Sequence, residues 1–294
     1  MHNLIQSYKL ILIELQKMNI VENSYFKPIK PKMSDLELVS LNVTAEYLSI
    51  DSEYQLFRQL IGTELENKIE RSVYNKRKRK LFPFLEKVRQ TLAEKFNEFE
   101  QYFIVDSMPL EVCKLSRMHR SKICKEEEFS FPDKGYCASQ DTHFYGYKLH
   151  AVCSTEGVFQ SFDLSAASVH DVNYLKDIKE QMSDCVIIGD KGYLSSEHQL
   201  NLFETVKVKL EVPMRKNQKD FKKTPYIFKK SRKRIETLFS QLCDQFMIRR
   251  NYAKTFEGFK TRILSKITTL TMIQFLNKFV FKRNINNLKI NLIQ

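Results

Sequence analysis

The chain has six cysteines, Cys113, Cys124, Cys137, Cys153, Cys185 and Cys243, but no CxxC pair and no histidine spacing that would complete a zinc site. That argues against a zinc finger or a dithiol redox module. The cysteines read as reduced, cytosolic and structural. There is no P-loop and no serine in a G-x-S-x-G elbow, which disfavours an NTP-driven enzyme and a serine hydrolase. The longest uncharged apolar-rich stretch near the C-terminal end, residues 267–277, is too short to span a bilayer, so no membrane partner is expected. Lys9 and Glu14 interrupt the first apolar stretch, so no signal peptide is expected and the location reads as cytoplasmic. No internal repeat is visible.

Acidic residues are scarce in one region only. Residues 207–294 hold 22 Lys and Arg against 5 Asp and Glu, a net +17. Residues 1–206 hold 26 against 30, a net −4. A protein made basic by composition alone would be basic throughout. A field concentrated in one third of the chain suits a phosphate backbone, with affinity that falls steeply as salt rises.

Hydrophobic content of 43%, with 22 Phe, is ample for a core, and the length suits one large domain plus a smaller one. Residues 1–100 read as helical. Leu4, Tyr8, Leu10, Ile11, Ile13, Leu15 and Met18 suggest a first helix, and Pro28 and Pro31 break the chain. Ser34 with Glu37 forms a capping box ahead of a second helix, and Asp51-Ser52 opens a third. The pair meeting near Ile50-Asp51-Ser52 is either a helix-turn-helix or an ordinary helix pair. The run Lys76-Arg77-Lys78-Arg79-Lys80 reads as a phosphate contact or a solvated face.

From residue 101 the pattern changes to strands. Residues 102–106 form an apolar run ending at Asp106, and residues 185–190 form another ending at Asp190. Residues 144–153 and 158–164 flank Ser154-Thr155-Glu156-Gly157 as a hairpin. Residues 120–143 read as an irregular excursion. A helix is expected from Ser168, another near 195–204, and a strand at 206–212. A basic loop, 214–234, then leads into a helix with the apolar stripe Ile235, Leu238, Phe239, Leu242 and Phe246. The order of elements suits a mixed sheet with helices on its faces.

An acid at a strand end is held rigidly and is costly to desolvate alone. Convergent carboxylates bind hard divalent metal, because Mg2+ prefers oxygen ligands. Asp106 and Asp190 fit that role, with turn-capping as the alternative, since Gly189 and Gly192 mark a tight turn. Arg232, Glu236 and Ser240 share one helix face, and their alternative is a surface ion pair. His170 and Asp171 read either as a functional pair or as the cap of a helix begun by Ser168. His119, His143, His150 and His198 have no metal-like spacing.

Four motifs occur in order: Asp106-Ser107-Met108-Pro109-Leu110, Gly146-Tyr147-Lys148-Leu149-His150, Gly189-Asp190-Lys191-Gly192-Tyr193, and Arg234-Ile235-Glu236-Thr237-Leu238-Phe239-Ser240-Gln241-Leu242. Together they resemble a bacterial DDE transposase of the insertion-sequence 982 family. The similarity extends to Ile248-Arg249-Arg250-Asn251-Tyr252-Ala253-Lys254-Thr255-Phe256 and to Asp35-Leu36-Glu37-Leu38 with Thr44-Ala45-Glu46-Tyr47-Leu48. The resemblance implies an RNase H-like α/β fold, a mixed sheet flanked by helices, with an N-terminal all-helical DNA-binding domain (1–100) and a catalytic domain with basic C-terminal helices (101–294). Asp106 is expected on the first strand, Asp190 after the fourth, and Glu236 on a later helix, together holding Mg2+ or Mn2+. Related transposases carry Tyr, Arg, Glu and Lys in register around the third acid. Here Arg232 and Glu236 match, Lys229 replaces the Tyr, and Cys243 stands at the Lys position. Glu257 is the weaker competitor for the third acid. Lys148, Lys191, Arg215, Lys216, Arg232 and Arg234 are the expected DNA contacts. The implied partner is double-stranded DNA, both terminal inverted repeats and target, bound as a homodimer. The alternatives are a nuclease of the same fold that cuts without joining, and a DNA-binding regulator whose acids are structural.

Overall fold

A computed structural model describes residues 2–20, 31–96, 100–214, 225–289 and 291–292. The chain divides into two compact units, one of residues 1–95, 242–250 and 257–294, the other of residues 96–241 and 251–256.

The first unit is helical. It holds α1 (His2–Lys17), α2 (Asp35–Tyr47), α3 (Glu53–Leu60), α4 (Arg71–Lys80) and α5 (Phe82–Glu94). The expected capping box forms: the Glu37 amide donates to Ser34 Oγ at 3.1 Å, and the Ser34 amide donates to Glu37 Oε2 at 2.6 Å. Such a cap satisfies two amides that the first turn otherwise leaves unbonded. Ser52 caps α3 through its side chain alone, Oγ accepting from the Gln55 amide at 3.5 Å.

The basic run of residues 76–80 lies in α4 and is neither wholly solvated nor wholly free. Arg77 donates to Asp35 Oδ1 at 2.5 Å and Lys78 to Glu53 Oε1 at 2.9 Å, so two of its five charges are neutralised within the protein.

The C-terminal helix α9 (Phe256–Phe275) belongs almost entirely to this unit. Fifteen of its residues are buried, among them Thr261, Ser265, Lys266, Thr268, Thr269, Thr271 and Gln274. Buried polar groups need partners. The hydroxyls of Thr261, Ser265, Thr269 and Thr271 donate to carbonyls four residues back in α9 itself, and α2 supplies partners for Ser265 and Lys266. Lys266 Nζ lies 2.5 Å from Glu46 Oε2, and Asn42 Nδ2 donates to Ser265 Oγ at 2.7 Å. No helix among the described residues is long and apolar enough to cross a membrane.

The second unit is built on a mixed sheet. Its strands are β1 (Tyr102–Cys113), β2 (Asp133–Cys137), β3 (Thr142–Ser154), β4 (Phe159–Ala166), β5 (Val186–Ile188) and β6 (Lys209–Glu211). The order is β2-β3-β1-β5-β6, with β4 also on β3. β1 runs antiparallel to β3 and parallel to β5, and β5 runs parallel to β6. The expected hairpin is β3–β4. The 120–143 excursion is more ordered than the sequence suggests. The thirteen-residue β3 is longer than β4, so its first residues, Thr142 to Gly146, are left to pair with β2. Asp190 therefore follows the fifth strand in chain order, not the fourth.

Side chains alternate across a strand, which gives the sheet two different faces. Phe103, Val105, Val152 and Ile187 pack with Tyr174, Leu175, Ile178 and Leu202 of α6 (Leu175–Gln181), α7 (Ser196–Val206) and the turn before α6. Ile104 and Asp106 alternate with these residues and point to the opposite face. There α8 (Tyr226–Asp244) buries Ile235, Leu238 and Phe239 of the expected stripe, and Phe239 stacks on Phe159 of β4 with ring centroids 6.4 Å apart. The helix expected from Ser168 begins later. A short turn at Asp171–Tyr174 precedes α6, with His170 rather than Ser168 at its cap.

Candidate active site

The parallel pairing of β1 with β5 brings two acids together. Ile104 pairs with Ile188, and both strands leave that pair in the same direction. Asp106 lies two residues further along β1 and Asp190 two residues past the pair, just beyond the end of β5, so both acids stand at the same end of the pairing. Asp106 is not at a strand end as the sequence suggested, because β1 continues to Cys113 on the strength of its pairing with β3. It sits instead where the shorter parallel partner stops. Pro109 follows within β1, paired only with β3, so its missing amide hydrogen falls on the side β5 has vacated.

Asp106 accepts from the Ser107 amide at Oδ1, 2.8 Å away, and its carboxyl is largely buried. Burial pushes its pKa up to about 6, against the lowering effects of the Ser107 amide and Arg232. The neighbouring charges of Asp190 and Asp171 push in the same direction as burial. Asp190 is half exposed and caps the turn Lys191–Tyr193, accepting from the Lys191 amide. The capping reading of Asp190 thus holds alongside its place beside Asp106. Arg232 reaches over both acids from α8. Its Nη2 lies 3.6 Å from Asp190 Oδ2 and 4.0 Å from Asp106 Oδ2.

Glu236 stands one helical turn beyond Arg232, roughly 5–6 Å along the axis, and is exposed. Among the described residues, no group of three or more His, Cys, Asp or Glu side chains is close enough to share a metal. The structure therefore brings Asp106, Asp190 and Arg232 together and leaves Glu236 at their edge.

The other expected contacts are placed variously. Lys148 is turned inward, its Nζ donating to Asp171 Oδ1 and to the Val169 carbonyl, each at 2.9 Å. Lys191 is exposed. Arg234 lays its stem against Gly157 in the β3–β4 turn, where φ is +94° and a Cβ would come within 2.6 Å of Arg234 Cδ. Arg215 and Lys216 lie outside the described residues.

Two further neighbours flank the pair. Asp171, read from sequence either as the functional partner of His170 or as a helix cap, pairs with Lys148 and raises the pKa of Asp106. Tyr193 is buried, and its hydroxyl has no hydrogen-bond partner among the described residues. Burial and the nearby carboxylates raise its pKa. The Lys-Leu-His and Asp-Lys-Gly-Tyr strings held the signal, but only the fold shows which way these side chains turn. His150 is buried, donates to or accepts from Ser165 Oγ at 2.8 Å and stacks on Tyr174. Burial lowers its pKa to about 4, so it is neutral at neutral pH.

No curated protein matches the chain. A solved structure titled "Mos1 transposase paired-end complex with left transposon end" is similar over 87% of this chain and 82% of that one, at 10% identity. Its TM-score of 0.23 is too low to bear on the fold. A family model described as "Transposase DDE domain" matches residues 97–272, well over half of the chain. That span contains both acids, Arg232 and Glu236, and the chain belongs to the DDE-domain transposase family.

Proposed function

We propose that this transposase cuts and joins double-stranded DNA at the ends of an insertion-sequence element of the 982 family, in the bacterial cytoplasm and as a homodimer, using Asp106, Asp190 and Glu236. The observation that carries the reading is the pair Asp106 and Asp190, side by side at the end of the β1–β5 parallel pairing. The strand order, with an antiparallel β1–β3–β4 set continued by parallel β5 and β6, supports an RNase H-like fold.

The residues fit a hard divalent cation. Asp106 and Asp190 offer oxygen donors only, and one guanidinium leaves the pair a net charge of −1. Glu236 would complete the set from α8. When bound there, Mg2+ or Mn2+ supplies the Lewis acidity that activates a hydroxyl nucleophile and stabilises the leaving oxygen.

The protein's own share is positioning. β1 and β5 fix the two carboxylates, and burial of Asp106 keeps water from screening its charge. Lys191, Arg232, Arg234, Arg215 and Lys216 offer positive charge to the phosphates. Lys148 contributes by holding Asp171 rather than by touching DNA. Water attack at an element end leaves a 3′-hydroxyl, which then attacks target DNA, and neither step needs a covalent bond to the protein.

The test is cleavage and strand transfer on a duplex carrying the element's own terminal repeat. Activity should require Mg2+ or Mn2+ and vanish in EDTA. D106N, D190N and E236Q should each lose cleavage while keeping DNA binding. Cleavage without joining of precleaved ends would identify a nuclease instead. Activity unchanged by D106N would make the acids structural and the protein a regulator.

A further inference from the structure

Arg232 does not make the contact of an arginine built to hold a carboxylate. Such pairs settle at about 2.7–2.9 Å, often through two parallel hydrogen bonds. Here Nη2 is 3.6 and 4.0 Å from its two acids, beyond hydrogen-bonding distance, and Nε is buried with no acceptor among the described residues. A guanidinium in this state keeps attraction to both carboxylates but gains few directed bonds in return for its desolvation. Its absence would not release α8, which is anchored by Ile235, Leu238 and Phe239, all buried. The role that remains for it is charge balance.

We propose that Arg232 is the resident counter-ion of the Asp106–Asp190 pair, and that a divalent cation enters by displacing it. The inference rests on the reading of that pair as a metal site. The guanidinium and the cation would compete for the same two carboxylates, Asp106 and Asp190. Two carboxylates with one guanidinium carry −1; with a divalent ion they are neutral, so the exchange is electrostatically favourable once the ion sheds water. The Arg232 side chain is 23% exposed, which gives the displaced head a route to solvent without moving the helix. The freed fork then matches a phosphate, for which guanidinium geometry is suited. Arg232 thus acts as a positioning residue that sets how readily the site loads.

The experiment is Mn2+ binding to the full chain by calorimetry at pH 7.5 and fixed salt, for wild type, R232M, R232K and D190N. Removing a positive charge about 4 Å from the carboxylates should tighten Mn2+ binding by about tenfold or more in R232M, with R232K nearer to wild type. If R232M fails to fold, the Nε–Hε resonance of Arg232 in the 15N-labelled wild type, assigned by its loss in R232K, gives a second reading. It should move during a Mg2+ titration, with the same midpoint as binding. Unchanged or weaker Mn2+ affinity in R232M overturns the displacement, as does an unmoved resonance at saturating Mg2+. Wild-type Mn2+ binding by D190N would instead overturn the metal site itself, so the two failures are distinguishable.

Discussion

The raised pKa of Asp106 predicts a specific pH dependence of stability in the metal-free protein. Its carboxyl titrates at about 6 in the folded chain against an ordinary value of 3.8. Between those values the folded state holds a proton that the unfolded state has released. Stability therefore falls as pH rises through about 4 to 6, and the penalty is complete above the folded pKa. At roughly 1.36 kcal/mol per pKa unit, a shift of this size costs up to about 3 kcal/mol at neutral pH. The side chain is 20% exposed, so solvent screening removes only part of that. D106N has nearly the same shape and no charge to desolvate. In EDTA at pH 7.5 it should be more stable than wild type by up to about 3 kcal/mol, less whatever the neutral amide loses toward Ser107 and Arg232. At pH 4 the difference should close. Urea midpoints of the two proteins across pH 4–8 read this directly. A stability difference that does not change with pH, or an Asn variant that is the weaker one at pH 7.5, would refute the argument that burial governs this carboxyl.

Three further outcomes are expected. K266M leaves Glu46 buried without its cation and should lower stability by about 3–5 kcal/mol in urea denaturation, whereas pairing it with E46L should recover most of the loss. A fragment of residues 101–294 should fail to unfold cooperatively and should bind a hydrophobic dye, because α9 would lose Asn42 and Glu46 as partners for Ser265 and Lys266; cooperative unfolding like that of the full chain would refute this. DNA affinity should fall steeply with salt, and neutralising Arg215, Lys216, Lys219, Lys222 and Lys223 together should flatten the log–log slope by roughly 0.9 for each phosphate contact removed, an unchanged slope marking these residues as bystanders.

The sequence by itself determined the local structure and the chemistry on offer. Ser34 and Glu37 cap α2 because the box needs only residues three apart. The β3–β4 hairpin and the apolar stripe of α8 were legible because period and turn chemistry are local properties. Asp106 and Asp190 stood out because each follows an apolar strand run.

Everything that depended on pairing distant segments was left to the tertiary structure. Parallel pairing put Asp106 and Asp190 at the same end of β1 and β5, and no local pattern encodes a parallel register across more than eighty residues. β2 formed inside the excursion because β3 had unpaired backbone to offer it. Lys148 turned to Asp171, and Arg77 and Lys78 to Asp35 and Glu53, because buried or half-buried carboxylates drew cations that looked free in the sequence. On α9, Ser265 and Lys266 found partners on α2, more than two hundred residues away. A sequence shows which charges exist; which of them remain available for DNA is decided by what the fold buries beside them.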